Sequence, residues 1–310
     1  MIAPCDIVAA AQLACLLEVS APKPGNVSPG HHFADTRYED FLASTAAIGA
    51  PLGGAGTRPL GTTIRLAIEA TARWTRSNTN LGIVLLLAPL ARAAAESGVA
   101  AESGSDPGDA RDWGQTPASA DSSLQKLRTA VSAALDATTV DDAREVYAAI
   151  RLAAPGGLGQ TDSQDVAGDP TMTLLEVMRL AAPRDGIARE YATAFEVTFE
   201  SGVPALARAR RDGLPWDDAI VETFLTLVAA FPDTHVQRRA GAETARMVSD
   251  RATAALTAGG VRSEEGRRAV AAMDAALRDA RNRANPGTAA DLTAAAIFVM
   301  LLTGEWHRSA

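Results

Sequence analysis

The chain has 310 residues, 47% hydrophobic and 21% charged, with a formal net charge of −8. That balance excludes a disordered or fibrous chain and leaves enough apolar surface for one large core or two intimate ones. An acidic chain without a basic cluster also excludes non-specific nucleic-acid binding, so any polyphosphate must meet a local cationic pocket.

Alanine is abundant, β-branched alternation is scarce, and apolar residues recur at three- and four-residue spacing. The pattern predicts an all-α protein, a single bundle of roughly a dozen helices. In chain order they are expected at 4–20, 36–50, 60–75, 80–96, 122–136, 141–151, 170–182, 186–200, 203–211, 216–231, 234–257, 263–283 and 288–303.

The first helix carries Cys5 and Cys15, read as small core residues in a reducing compartment rather than a disulfide. It ends in EVSAPKPGN, residues 18–26. Pro22 and Pro24 forbid helix continuation, so Glu18, Lys23 and Asn26 are expected on a rigid loop, and Gly25 permits a positive-φ turn or close approach of a ligand. A carboxylate at a helix C-terminus is disfavoured, so Glu18 asks for a cation, either Lys23 or a metal. In the following loop, NVSPGHHFADTRYED, the adjacent His31 and His32 lack the ligand spacing of a zinc site. Asp35 is a cap candidate for a helix starting at Thr36, whose spacing to Glu39 fits a capping box.

At SNTNLG, residues 77–82, Asn78 and Thr79 open an apolar helix, where they serve as caps or leave amides free for an anion. Residues 97–121 are rich in Gly, Ser, Pro and Asp without a period, which predicts a long flexible loop, with a lid anchored by Trp113 as the alternative. Residues 155–170 hold Asp162, Asp165 and Asp169, which fit either Mg²⁺ or an Asp-rich turn with Asp169 capping before Pro170. They lack the closing Glu of an EF-hand. Asp185 caps the next helix, beside Arg184 and Arg189 as anion contacts. DTHVQRRAG, residues 233–241, offers Asp233 as an N-cap and Arg239 beside the small Ala240 and Gly241. NPGTAADL, residues 285–292, turns at Asn285 to Gly287, and Thr288 with Asp291 has capping-box spacing. The longest apolar runs, 82–91 and 293–302, are too short to span a bilayer, and the N-terminus lacks a basic signal segment, so a cytoplasmic protein is expected.

Taken in order, PKPGNV, the NT of 77–80, the D and R of DTHVQRRAG and NPGTAADL resemble the triphosphoribosyl-dephospho-CoA synthase family, from about residue 15 to 303. Those enzymes build the prosthetic-group precursor of citrate lyase and malonate decarboxylase. The resemblance implies transfer of the 5-triphosphoribosyl group of ATP to 3′-dephospho-CoA with release of adenine. It places Lys23, Arg184 and Arg239 on the triphosphate, with Gly25, Asn26, Asn78, Thr79, Asn285 and Gly287 completing substrate binding. Glu18, Asp233 and Asp291 become the catalytic carboxylates, and Asp162, Asp165 and Asp35 the candidates for Mg²⁺, which ATP use implies. ATP and a cofactor-precursor acceptor are the expected partners, with no nucleic acid and no membrane; a homodimer is among the expectations. Two departures stand out: the usual form resembles GVNTHKG, where this chain has Asn80 and Leu81, and DTNVLHRGG, where it has His235. They keep open a different acceptor, such as the precursor of a one-carbon carrier, and a non-catalytic nucleotide-binding protein.

Overall fold

The computed structural model describes residues 3–97, 117–279 and 281–304. The last helix, α14 (Gly287–Leu302), is apolar on every side, and all but three of its residues are buried. A helix with no polar face can only be stable in the middle of a core. Around it lie α1 (Pro4–Ser20), α4 (Leu81–Ser97) and α10 (Trp216–Ala230), each packed directly on it.

The remaining helices form an outer layer: α2 (Tyr38–Gly53), α3 (Leu60–Ala72), α5 (Pro117–Asp136), α6 (Val140–Ala153), α7 (Leu174–Ala181), α8 (Gly186–Ala192), α9 (Val203–Arg211), α11 (Thr234–Ala240), α12 (Ala242–Thr257) and α13 (Glu264–Leu277). Among the described residues there is no strand, only one isolated bridge between Ser28 and His31. One apolar cluster runs from Ile7 to Leu302. No single described helix is long and apolar enough to cross a membrane.

Several expectations change. The helix expected at 234–257 is cut at Gly241, which takes φ 90° and ψ 162°, a conformation a glycine adopts without strain. The one expected at 186–200 breaks after Ala192, where Ala194 and Phe195 adopt positive φ. Buried Glu190 holds that break: its carboxylate accepts from Val197 N and Thr198 N, each at 2.9 Å.

Three expected caps are replaced. Asp40 rather than Glu39 serves the start of α2, accepting from Arg37 N at 2.8 Å. Thr173 and Glu176, not Asp169, cap α7. Thr288 does not box with Asp291, because its hydroxyl accepts from His235 N at 3.2 Å. Cys15 is buried as expected, whereas Cys5 is exposed; both are free thiols. Most of the expected 97–121 loop, Trp113 included, lies outside the described residues, and α5 already begins at Pro117.

Candidate active-site cleft

Helix starts converge on one point of this bundle. Asp233 caps α11 by accepting from Val236 N at 3.0 Å, and its second oxygen accepts from Ala289 N at 2.8 Å in the first turn of α14. The hydroxyls of Thr234 and Thr288 lie 3.1 Å apart, and Gly186 N at the start of α8 donates to Thr234 at 3.0 Å. Facing this knot is the start of α4, where Asn78 Oδ1 accepts from Leu81 N at 3.1 Å. The amides of Gly82 and Ile83 have no acceptor among the described residues. Aligned helix termini of this kind receive anions.

Between these elements lies an open cleft lined by Glu18, Asn26, Asn78, Thr79, Asn80, Gly82, His235, Asn285, Gly287 and Asp291, among others. Asp291 reaches over the first turn of α4, and a Cβ on Gly82 would collide with its carboxylate. It makes no hydrogen bond or ion pair with a described residue. Burial, and then the nearby Glu18 and Asp233 carboxylates, push Asp291 well above the usual carboxylate range. Asn285 Oδ1 is buried and also unpartnered. Asp233 is raised to about 6 by burial, against the hydrogen bonds it accepts. His235 is lowered to about 4 by burial and the Arg238 and Arg239 charges, so its ring is neutral at pH 7.

The structure separates the expected site residues into two groups. Glu18, Asn26, Asn78, Thr79, Asn285, Gly287 and Asp291 meet in the cleft, and Asp233 stands behind its wall. The three expected triphosphate cations do not line it. Lys23 turns inward instead of outward: it is 1% exposed, and its ammonium donates to the Glu18 carboxylate at 2.9 Å, to Ala21 O at 3.3 Å and to Glu18 O. Arg239 donates to the carbonyls of Arg281 and Asn282 at 3.0 and 3.3 Å, and Arg184 is exposed beside Tyr147. Gly25 serves a turn, with φ 76°, and packs against Leu277 and Pro286.

The expected Mg²⁺ carboxylates are not assembled either. Asp165 is spent on Thr161 N and Ala167 N, both at 2.8 Å, in an exposed turn with Asp162, while Asp35 accepts from Thr36. None of the three lines the cleft, and no described group of three or more His, Cys, Asp or Glu could hold a metal. The sequence reading overlooked Gly82, whose only signal is a glycine in the first turn of an apolar helix. It noted His235 only as a departure, not as a cleft residue.

Such a fold and site define a class: an all-helical protein in which several helix starts converge on one cleft beside a buried carboxylate, Asp291, that has no partner among the described residues. The chain belongs to the ATP:dephospho-CoA triphosphoribosyl transferase (CitG) family, whose model matches residues 4–309. It is 38% identical over 117 residues to a Stutzerimonas stutzeri protein provisionally named 2-(5″-triphosphoribosyl)-3′-dephosphocoenzyme-A synthase, a match covering 37% of this chain and 40% of that one. A protein of the same provisional name from Azotobacter vinelandii is 36% identical over 114 residues, covering 37% and 38%. The matched stretches thus span about 40% of those relatives. A solved Archaeoglobus fulgidus protein, provisionally named triphosphoribosyl-dephospho-CoA synthase, superposes with a TM-score of 0.60 at 27% identity, covering 85% of this chain and 99% of that one.

Proposed function

We propose that this protein transfers the 5-triphosphoribosyl group of ATP to 3′-dephospho-CoA and releases adenine. The observation that carries it is Asp291, an unpaired carboxylate with raised proton affinity, set over the bare first turn of α4. Family membership supplies the substrates.

In the step proposed, the acceptor's 2′-hydroxyl oxygen forms a bond to the ribose C1′ of ATP. The bond from C1′ to the adenine nitrogen breaks, and adenine leaves with that electron pair. Asp291 takes the hydroxyl proton, which ends on adenine. Glu18 and Asp291 together favour the positive charge that develops on the ribose. The Gly82 and Ile83 amides and Asn78 receive phosphate oxygens, the role first expected of Lys23.

Mg²⁺ remains an inference from ATP use, and the donors on the cleft wall fit it. Phosphate oxygens and water would supply most of its ligands, with Asn285 Oδ1 as an unpartnered protein oxygen placed to join them. It would neutralise phosphate charge in a cleft that is otherwise acidic.

A second reading, a different acceptor, draws on Asn80 and Leu81. Asn80 Nδ2 is spent on Thr71 Oγ1 at 3.0 Å, and Leu81 puts an apolar side chain on the cleft wall. Incubation with ATP, Mg²⁺ and 3′-dephospho-CoA tests both: free adenine and an acceptor heavier by one triphosphoribosyl group are expected. ADP instead of adenine, or no product with any nucleotide acceptor, removes the main reading.

A further inference from the structure

The surface beside the cleft carries an aromatic group with no structural duty. Trp74, just past the end of α3, is 72% exposed, and Arg73 and Arg76 beside it are exposed as well. Neither arginine forms an ion pair or side-chain hydrogen bond with a described residue. Tryptophan is usually well buried, so an indole left in water on an ordered backbone asks for a partner.

The backbone there is ordered by specific bonds. Trp74 N and Thr75 N donate to Thr71 O at 2.9 and 3.1 Å, Ser77 N donates to Thr75 Oγ1 at 3.2 Å, and Ser77 Oγ ties the segment to Asp35 O at 2.6 Å. Asn78, the next residue, lines the cleft and caps α4. Trp74 therefore stands within about 14 Å of the cleft wall, the reach of four extended residues.

The proposed reaction needs two nucleotides at once. The described cleft lining holds no lysine or arginine, so the diphosphate of the second finds no cationic side chain there. Arg73 and Arg76, just before the cleft residue Asn78 in the chain, are exposed guanidiniums without an ion pair among the described residues, and they offer the positive charge that the lining lacks.

We propose that Trp74, Arg73 and Arg76 form the docking site for the nucleoside diphosphate part of the acceptor: the indole stacks on its base and the guanidiniums hold its diphosphate. The base and the diphosphate flank the ribose whose hydroxyl reacts, so anchoring both aims that hydroxyl into the cleft. The inference rests on the triphosphoribosyl-transfer reading for the identity of the acceptor.

The test is calorimetric titration of 3′-dephospho-CoA and, separately, of ATP with Mg²⁺ into wild type, Trp74→Ala, Trp74→Phe and Arg76→Ala. All are exposed substitutions and should leave thermal stability unchanged. Trp74→Ala is expected to weaken dephospho-CoA binding about ten- to a hundredfold while Trp74→Phe retains most of it. Arg76→Ala should weaken it about tenfold and flatten its salt dependence. ATP affinity should stay within about twofold throughout.

Equal losses for both nucleotides, or none for dephospho-CoA, overturn the docking site. So does a Trp74→Ala effect confined to self-association in sedimentation. Binding is read without turnover: Trp74-dependent binding with no adenine release defeats the transfer reading alone. Adenine release with a Trp74→Ala acceptor KM equal to wild type defeats the docking site alone.

Discussion

Two Pro-Gly turns of this chain look alike in sequence and have opposite fates. In the PKPGN turn the charged side chain and the turn's amides find partners inside the fold. Lys23 closes on Glu18 and two carbonyls, Gly25 N donates to Asp274 at 2.7 Å, and Arg278 donates to Asn26 O at 2.9 Å. The NPGTAADL turn stays open. Among the described residues Asn285 Oδ1 has no partner and Asp291 has no donor, and Thr288 is diverted to α11. Buried polar groups in folded proteins are normally satisfied, so the unsatisfied turn is the one that the proposed function assigns to the ligand. The satisfied turn packs against it, with Gly25 lying on Pro286.

The sharpest way to break that contrast is at Asp291. Asp291→Asn should lower kcat by about 10²- to 10⁴-fold, the range for a lost general base. Its melting temperature should stay level or rise, because a carboxyl group whose ionisation burial and the neighbouring carboxylates oppose is replaced by a neutral amide. A large loss of stability with activity retained would make the open turn structural after all. The converse experiment is Lys23→Met, expected to cost about 3–5 kcal/mol in denaturant unfolding because Glu18 is left buried and unpaired. Lys23→Met with Glu18→Leu should recover most of that stability but not the adenine release. If Lys23→Met instead folds normally and loses only ATP affinity, Lys23 contacts phosphate as the sequence suggested.

That reversal shows what the sequence could convey. Helix spacing and the Pro-Gly punctuation located most of the bundle, including the fully apolar α14, because those signals are local. Each of the four polar turns contributes residues to the candidate cleft, although Lys23, Arg184 and Arg239 do not line it. Which polar groups would be left over was not legible, since satisfaction depends on distant partners. Asp233 spends its second oxygen on Ala289, 56 residues away, and Gly25 meets Asp274, 249 residues away. The breaks at Ala194 and Gly241 were hidden for a similar reason: a buried Glu190 and a positive-φ glycine interrupt otherwise periodic apolar patterns.

Gly82 sharpens the comparison from the other side of the cleft. Alanine there improves helix propensity by about 1 kcal/mol, so Gly82→Ala should change unfolding stability little. Its Cβ would displace the Asp291 carboxylate, and a misplaced catalytic group costs about a hundredfold in kcat. Retained activity in Gly82→Ala would show that the closeness of Asp291 to α4 is incidental.

The smallest expected effect lies between His235 and Asp233, whose proton affinities move in opposite directions. His235 falls from 6.5 to about 4, so as pH drops through that window the unfolded chain takes up a proton that the folded chain refuses, and stability is lost. Asp233 rises from 3.8 to about 6, so over nearly the same window the folded chain takes up the proton first, and stability is gained. In the wild type the two contributions oppose each other. His235→Asn deletes the first and leaves the second, and it also removes the Arg239 contact at 3.5 Å, a cost that does not vary with pH. The stability of His235→Asn relative to wild type should therefore climb as pH falls from about 6.5 to 4, by about 1–2 kcal/mol given the partial exposure of the ring. Urea midpoints measured across that range read the slope directly. A difference that stays flat with pH would mean the imidazole is solvated rather than held against the start of α14, and the cleft wall at Gly287 would be looser than the structure places it.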